Sequence, residues 1–391
     1  MSQTTQTPAR TASRHYPLGW LRAVAALAVV TFHAYQFNRT RTWPFSGTAH
    51  RLLLGTDLFV DMFFVLSAFV LWAPVAQAAI TGTTGRPGWL VLFRRTARLA
   101  PLYVTVVLVV WAVTNPSLPG HWRDLLMHLT FTQVYSDQYI FWTDGPAWSL
   151  AVEFHYYLLI AAAIPVTYAL ARRTSSRVGR VRATLLLPAL CVVAGLAYLA
   201  WNILVLQTAE TSWSAWFNPL AKAADFGIGM GLAVMVASGV RISGVTRVAC
   251  RVVSVAGLLA LVLARPFHGP ETNWWHPLFA LAVAVGLASI VLTESEQPAW
   301  MSWRPLAWLG GLGYGIYLIH EPVLRLTTWL GLVPEPRPGP QFLVTTVVVA
   351  VPTIALAWLS ARTVEEAGRK TLGLVDETGH RRDYYAHVAP H

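Results

Sequence analysis

Scarcity marks this chain: two cysteines in 391 residues, charged side chains at only 12%, and 18 acidic residues against 29 lysines and arginines. Cys191 and Cys250 stand alone, near the expected cytoplasmic ends of two apolar segments, where reducing conditions argue against a disulfide. No metal site is expected either. Rossmann and phosphate-loop glycine patterns, internal repeats and domain-length polar segments are all missing, which leaves nucleotide-binding α/β folds and repeat architectures without support. What fills the space is apolar: hydrophobic residues make up 55% of the chain, mean hydropathy is +0.49, and apolar runs recur along almost its whole length. Such a chain is all-α, a polytopic membrane protein whose first partner is the lipid bilayer.

A net charge of +11 would raise the question of nucleic acid in a soluble protein. Here the basic residues collect in short loops on one side, the signature of membrane orientation, so no nucleic-acid partner is expected. Length and breakers predict a bundle of about ten transmembrane helices, near residues 19–38, 57–79, 98–114, 147–171, 184–206, 214–237, 248–265, 276–293, 306–330 and 340–362. With both termini cytoplasmic, about 20 of the 29 basic residues face the cytoplasm, among them Arg94, Arg95, Arg98, the run Arg172 to Arg182, Arg241, Arg247 and Arg251. The first span has no convincing small-residue cleavage site after it and is expected to remain as a helix. Leu125 to Tyr135 is too short to span and is interrupted by His128 and Gln133, so it reads as a re-entrant or interfacial element on the outer side. The expected division is a disordered cytoplasmic tail at 1–17, a membrane-embedded domain at 18–363 and a cytoplasmic C-terminal tail at 364–391.

Titratable residues inside spans cost roughly 2.5 to 3.5 kcal/mol by insertion scales and persist mainly where they face a bundle interior and carry function. Arg22 and His33 are eleven residues apart in the first span, which places them on one stripe about 16 Å apart along the axis. Counted from the span ends, His33, Asp61, Glu153 and the His320–Glu321 pair converge on the outer half of the bundle. A histidine beside a carboxylate is a general-base arrangement, and His33 with Glu153 fits it. Bland alternatives stand beside each: an Arg22–Glu153 ion pair, a capping role for Asp61, a Pro322 kink at His320 and Glu321, and a local Lys222–Asp225 pair. Arg95 and Arg98 share a helix face that suits phosphate oxygens, and positive-inside anchoring explains them as well.

Five segments resemble, in order, the integral-membrane acyltransferase family three, which includes bacterial O-antigen acetylases and macrolide acyltransferases. They are LRAVAALAVVTFHA around Arg22 and His33, VDMFFVLSAFVLW at 60–72, RRTARLAPLY at 94–103, PAWSLAVEFHYYLL at 146–159, and YGIYLIHEP at 314–322. The resemblance implies that His33 is catalytic, that Arg22 and Glu153 are required, and that Arg95 and Arg98 engage acyl-coenzyme A. Departures are Ala68, where the family usually has glycine, and Phe154 and His155, where glutamate and glutamine are common. No counterpart of the extracytoplasmic hydrolase-like domain fused to some members is found, so transfer is expected from the membrane domain alone or with a partner.

The expected activity is therefore transfer of a short acyl group, acetyl first, from acyl-coenzyme A as co-substrate to a hydroxyl of a carbohydrate or glycosylated acceptor in the cell membrane. No tightly bound cofactor is expected. His33 would act as base, with an acyl-histidine intermediate left open, and Ser149, Tyr314 and Tyr317 are candidate oxyanion donors beside Asp61 and His320 as substrate-contacting residues. The rival from another class is a proton-coupled transporter relaying protons through His33, Glu153 and His320.

Overall fold

A computed structural model describes residues 16–375; the outer parts of both expected tails, 1–15 and 376–391, lie outside the described residues. No β-strand occurs among the described residues. Each expected span has a helix in its place: α1 Gly19–Phe37, α2 Phe59–Thr81, α3 Gly88–Thr114, α4 Ala147–Arg172, α5 Arg177–Ala200, α6 Ala223–Ala237, α7 Gly244–Ala264, α8 Trp275–Val291, α9 Arg304–Trp329 and α10 Gln341–Arg362. Seven helical stretches are long and apolar enough to cross a membrane, and they contain all of these except α1, α6 and α9. The exceptions are informative. Helix α6 has only 15 residues and is mostly buried, whereas Arg22 and His33 dilute the apolar run of α1, as His320, Glu321 and Arg325 dilute that of α9. Helices that carry ionisable groups at membrane depth face the protein interior rather than lipid.

Burial follows that logic. Helix α1 packs against α9, α10 and α2, and α2 packs in turn against α6, α4, α5 and α8. Helix α7 is peripheral, with Ser254 and Val262 its only buried residues. Without a hydrophobic driving force between helices in lipid, small residues at the contacts do the joining. A Cβ at Gly310 would lie 1.9 Å from the Gly19 carbonyl oxygen, so α1 and α9 meet at a distance only glycine permits.

The segment between α3 and α4 settles the depth of the site. It contains a short helix, Trp122–Leu129, and a 3-10 turn, Gln133–Tyr135. Asp124, His128 and Gln133 are each 0% exposed, so this segment is packed into the bundle and not laid on its surface. The Tyr103 hydroxyl donates to the His128 carbonyl at 3.0 Å, and the Gln133 amide donates to the Tyr103 oxygen at 3.0 Å and to the Ala147 carbonyl at 3.4 Å. Tyr103 lies about 22 Å along α3 from Gly88, so α4 begins near the middle of the bundle instead of at its outer rim. Beyond α10, residues Val364–Val375 of the expected C-terminal tail form a further helix that packs on α3, where Gly368 meets Ala97.

Candidate active site

Two polar levels lie along one face of α9. At the outer level, the Nε2 of His320 is 2.9 Å from the Nδ1 of His33, and the two rings are 4.8 Å apart between centroids. The same His33 Nδ1 is 3.0 Å from the Val29 carbonyl, and the His320 Nδ1 is 2.6 Å from the Tyr317 carbonyl. His320 is fully buried and His33 is half-buried. Glu321 exerts the strongest carboxylate field on His33, with Asp57 behind it. Each carboxylate has its own arginine: Arg325 contacts Glu321 at 2.5 Å, and Arg265 pairs with Asp57. Gly145 gives Glu321 its room, since a Cβ there would lie 2.2 Å from a carboxylate oxygen. Asp144 beside it is fully buried, and neither of its carboxylate oxygens has a hydrogen-bond partner among the described residues.

At the inner level, Glu153 accepts hydrogen bonds from the Ser67 hydroxyl and, at 2.6 Å, from the Tyr157 hydroxyl. Arg22 feels the attraction of Glu153 and the repulsion of Arg95 and Arg98. A Cβ at Gly313 of α9 would lie 3.4 Å from the Arg22 carbonyl oxygen, which puts Arg22 at the level of Tyr314. Around Arg22, two guanidiniums therefore stand against one carboxylate. Arg22, Arg95 and Arg98 make no hydrogen bond or ion pair among the described residues. Arg22 and Arg95 are half-buried and Arg98 is exposed, and such excess positive charge with guanidinium forks suits an anion such as phosphate chemically.

The expected pairing of Glu153 with His33 is not formed. Both hydrogen bonds of Glu153 go to Ser67 and Tyr157, and the partner of His33 is His320. The reason is depth: because α4 starts in mid-bundle, Glu153 sits about 9 Å further in than Ala147, level with Arg22 and Tyr314 rather than with His33. Along α9 the levels are separated by the six residues from Tyr314 to His320, about 9 Å. Between them Ser149 donates to the Tyr317 oxygen at 2.8 Å, and Tyr317 in turn lies 3.2 Å from the Pro146 carbonyl. Tyr314 donates to the Leu99 carbonyl at 2.6 Å. Those hydroxyl protons are committed to protein acceptors, so Ser149, Tyr314 and Tyr317 stand between the levels without offering a free donor to an oxyanion.

Asp61 belongs elsewhere. Its carboxylate takes a 2.8 Å contact from His276, and Lys222, only 1% exposed, faces both Asp61 and Asp225. Lys222 and Asp225 are thus parts of a buried cluster joining α2, α6 and α8, not the local pair their spacing implied. At the family departures, Ala68 lies against Gly229 of α6, where a Cβ would be 3.0 Å away, so the facing helix supplies the glycine that this segment lacks. Phe154 stacks on Phe131 at 4.3 Å and His155 meets Tyr135, so both brace the re-entrant segment. Ser67 and Tyr157 escaped sequence reasoning, although Tyr157 lies four residues after Glu153, one turn along the same helix face.

A family model described as an acyltransferase domain matches residues 16–362. The chain belongs to the acyltransferase 3 family. It is similar to the peptidoglycan O-acetyltransferase OatA of Listeria monocytogenes serovar 1/2a, at 23% identity over 375 residues, covering 90% of this chain and 55% of that protein. It is also similar to YrhL of Bacillus subtilis (strain 168), named provisionally as a peptidoglycan O-acetyltransferase, at 25% identity over 346 residues, covering 81% of this chain and 49% of the relative. The chain thus spans about half the length of these curated relatives. No solved structure matches it. Membership in a family of acyltransferase domains stands against the transporter alternative.

Proposed function

We propose that this chain is a plasma-membrane O-acyltransferase that moves a short acyl group, acetyl foremost, from acyl-coenzyme A to a hydroxyl of a carbohydrate or glycosylated molecule. One observation carries the reading: a cluster of guanidiniums without hydrogen-bond partners at the inner level lies about 9 Å along α9 from a histidine pair, with Tyr314 and Tyr317 between them. Arg95 and Arg98, with Arg22 above them, would hold the donor's phosphates while its acylated thiol arm reaches toward His33. Glu153 keeps the cluster from being purely repulsive, and its bonds to Ser67 and Tyr157 fix its place.

His33 then takes the proton of the acceptor hydroxyl as the acceptor oxygen attacks the thioester carbonyl. The C–O bond forms, the C–S bond breaks, and the departing thiolate recovers that proton from His33. Attack by His33 itself, followed by transfer from the acyl-imidazole, satisfies the same balance. Both curated relatives are named for an O-acetylation of peptidoglycan, which supports a sugar hydroxyl as the acceptor class.

Incubating purified protein with radiolabelled acetyl-coenzyme A tests the reading. The expected result is thiol release that rises with added glycosides, with label recovered in the glycoside. Absence of thiol release with acetyl, propionyl and butyryl donors across the acceptor set would overturn it.

A further inference from the structure

The proton positions of the histidine pair follow from its partners. A backbone carbonyl accepts and never donates, so the 3.0 Å contact between His33 Nδ1 and the Val29 oxygen requires a proton on that nitrogen. The 2.6 Å contact between His320 Nδ1 and the Tyr317 oxygen requires one there too. In the neutral imidazole a proton on Nδ1 leaves Nε2 as an acceptor. The 2.9 Å contact therefore runs in one direction, from His33 Nδ1–H to His320 Nε2, and the proton of His33 is shared between the Val29 carbonyl and His320.

We propose that His320 is a positioning residue that locks His33 in its Nδ1–H tautomer, leaving Nε2 of His33 as the one nitrogen that reacts. His320 would do for His33 what a buried carboxylate does in a hydrolase triad: fix the tautomer, aim the ring and accept the hydrogen bond that strengthens once the ring is charged. It does so as a neutral group. The support is built into α9, because the Tyr317 carbonyl that holds the His320 proton lies one turn back on the same helix. Pro322 frees the carbonyl of Leu318, not that of Tyr317, so the kink reading of His320 does not account for this bond. Glu321, held by Arg325, and Asp57, held by Arg265, supply the negative field that an imidazolium at His33 would meet.

The inference rests on the proposed role of His33 as base or nucleophile, and three variants with one spectroscopic measurement keep the two apart. His320→Leu removes the acceptor, and kcat should fall by about 10²- to 10⁴-fold, the range of a positioned proton-transfer group and of a misplaced tautomer, with the donor KM unchanged. His320→Gln, whose amide oxygen can take the same hydrogen bond, should recover most of that loss. In protein labelled with ¹⁵N-histidine, the His33 resonances, identified by their loss in His33→Gln, should report Nδ1–H with a bare Nε2 in the wild type and a tautomer mixture in His320→Leu. The proposal is overturned if the wild type shows Nε2–H at His33, a result that needs no variant to fold. It is equally overturned if His320→Leu keeps kcat within about threefold while His33→Gln is inactive. Activity in His33→Gln would bring down the functional reading itself.

Discussion

At the outer level of the column the ring protons are accounted for: His33 and His320 each give one to a carbonyl, and they share a third contact with each other. At the inner level Arg22 meets two further guanidiniums and one carboxylate, and Arg22, Arg95 and Arg98 have no hydrogen-bond or ion-pair partner among the described residues. The histidine pair is satisfied by the protein and the arginines are left for something else. Chemistry needs fixed geometry, which full hydrogen bonding provides, whereas recognition of a phosphorylated donor needs unspent positive charge. On the proposed function, the contrast divides the two parts of an acyl transfer between two depths of the bundle.

The contrast can be broken at either level, and the largest effect belongs to the outer one. His33→Ala should insert and elute normally yet lose at least about a hundredfold in kcat, the low end for a positioned proton-transfer group. Steady-state kinetics with saturating donor and acceptor would check it, and near-normal turnover would end the assignment.

A third region serves as the control. Lys222→Met leaves Asp61 and Asp225 buried without their cation, and breaking such a group costs about 3 to 5 kcal/mol of stability. Thermal unfolding in detergent should show the drop, while the donor KM of the protein that remains folded stays unchanged. A donor KM that rises with the loss of Lys222 would tie this cluster to the column.

Replacing Arg95 and Arg98 with Gln acts on the inner level alone. Each lost charge-assisted bond is worth roughly 1.5 to 3 kcal/mol, so the donor KM should rise at least about tenfold per arginine and the acceptor KM should hold. Equal rises in both would mean that the arginines anchor the helix. The smallest effect is expected where the levels are tied together: Gly310→Ala forces α1 and α9 apart, at an overpacking cost of about 1 to 3 kcal/mol. Differential scanning fluorimetry would register it as a lowered Tm.

How far the sequence carried these features depends on the kind of information each needs. Helix positions were legible, because apolar length and breakers are local properties, and each expected span found its helix. Arg22 and His33 were legible for the same reason, since a polar group inside α1 is conspicuous wherever the helix lies. The depth of Glu153 was not. Hydropathy counts from the end of a span, and nothing local reveals that the loop before Ala147 dips into the bundle and starts α4 at the level of Tyr103. His128 and Gln133 interrupting a short apolar stretch were the available hint, read as re-entry without its consequence for Glu153. The His33–His320 contact joins residues 287 positions apart, a pairing that only tertiary structure supplies.

Calorimetric titration with free coenzyme A separates the two levels most directly, because it reads donor binding without turnover. His33→Ala should bind coenzyme A with the wild-type Kd, and the Arg95→Gln, Arg98→Gln double variant should bind it at least about a hundredfold more weakly. Unchanged binding in the double variant, or a loss of binding in His33→Ala as large as that of the arginines, would contradict it.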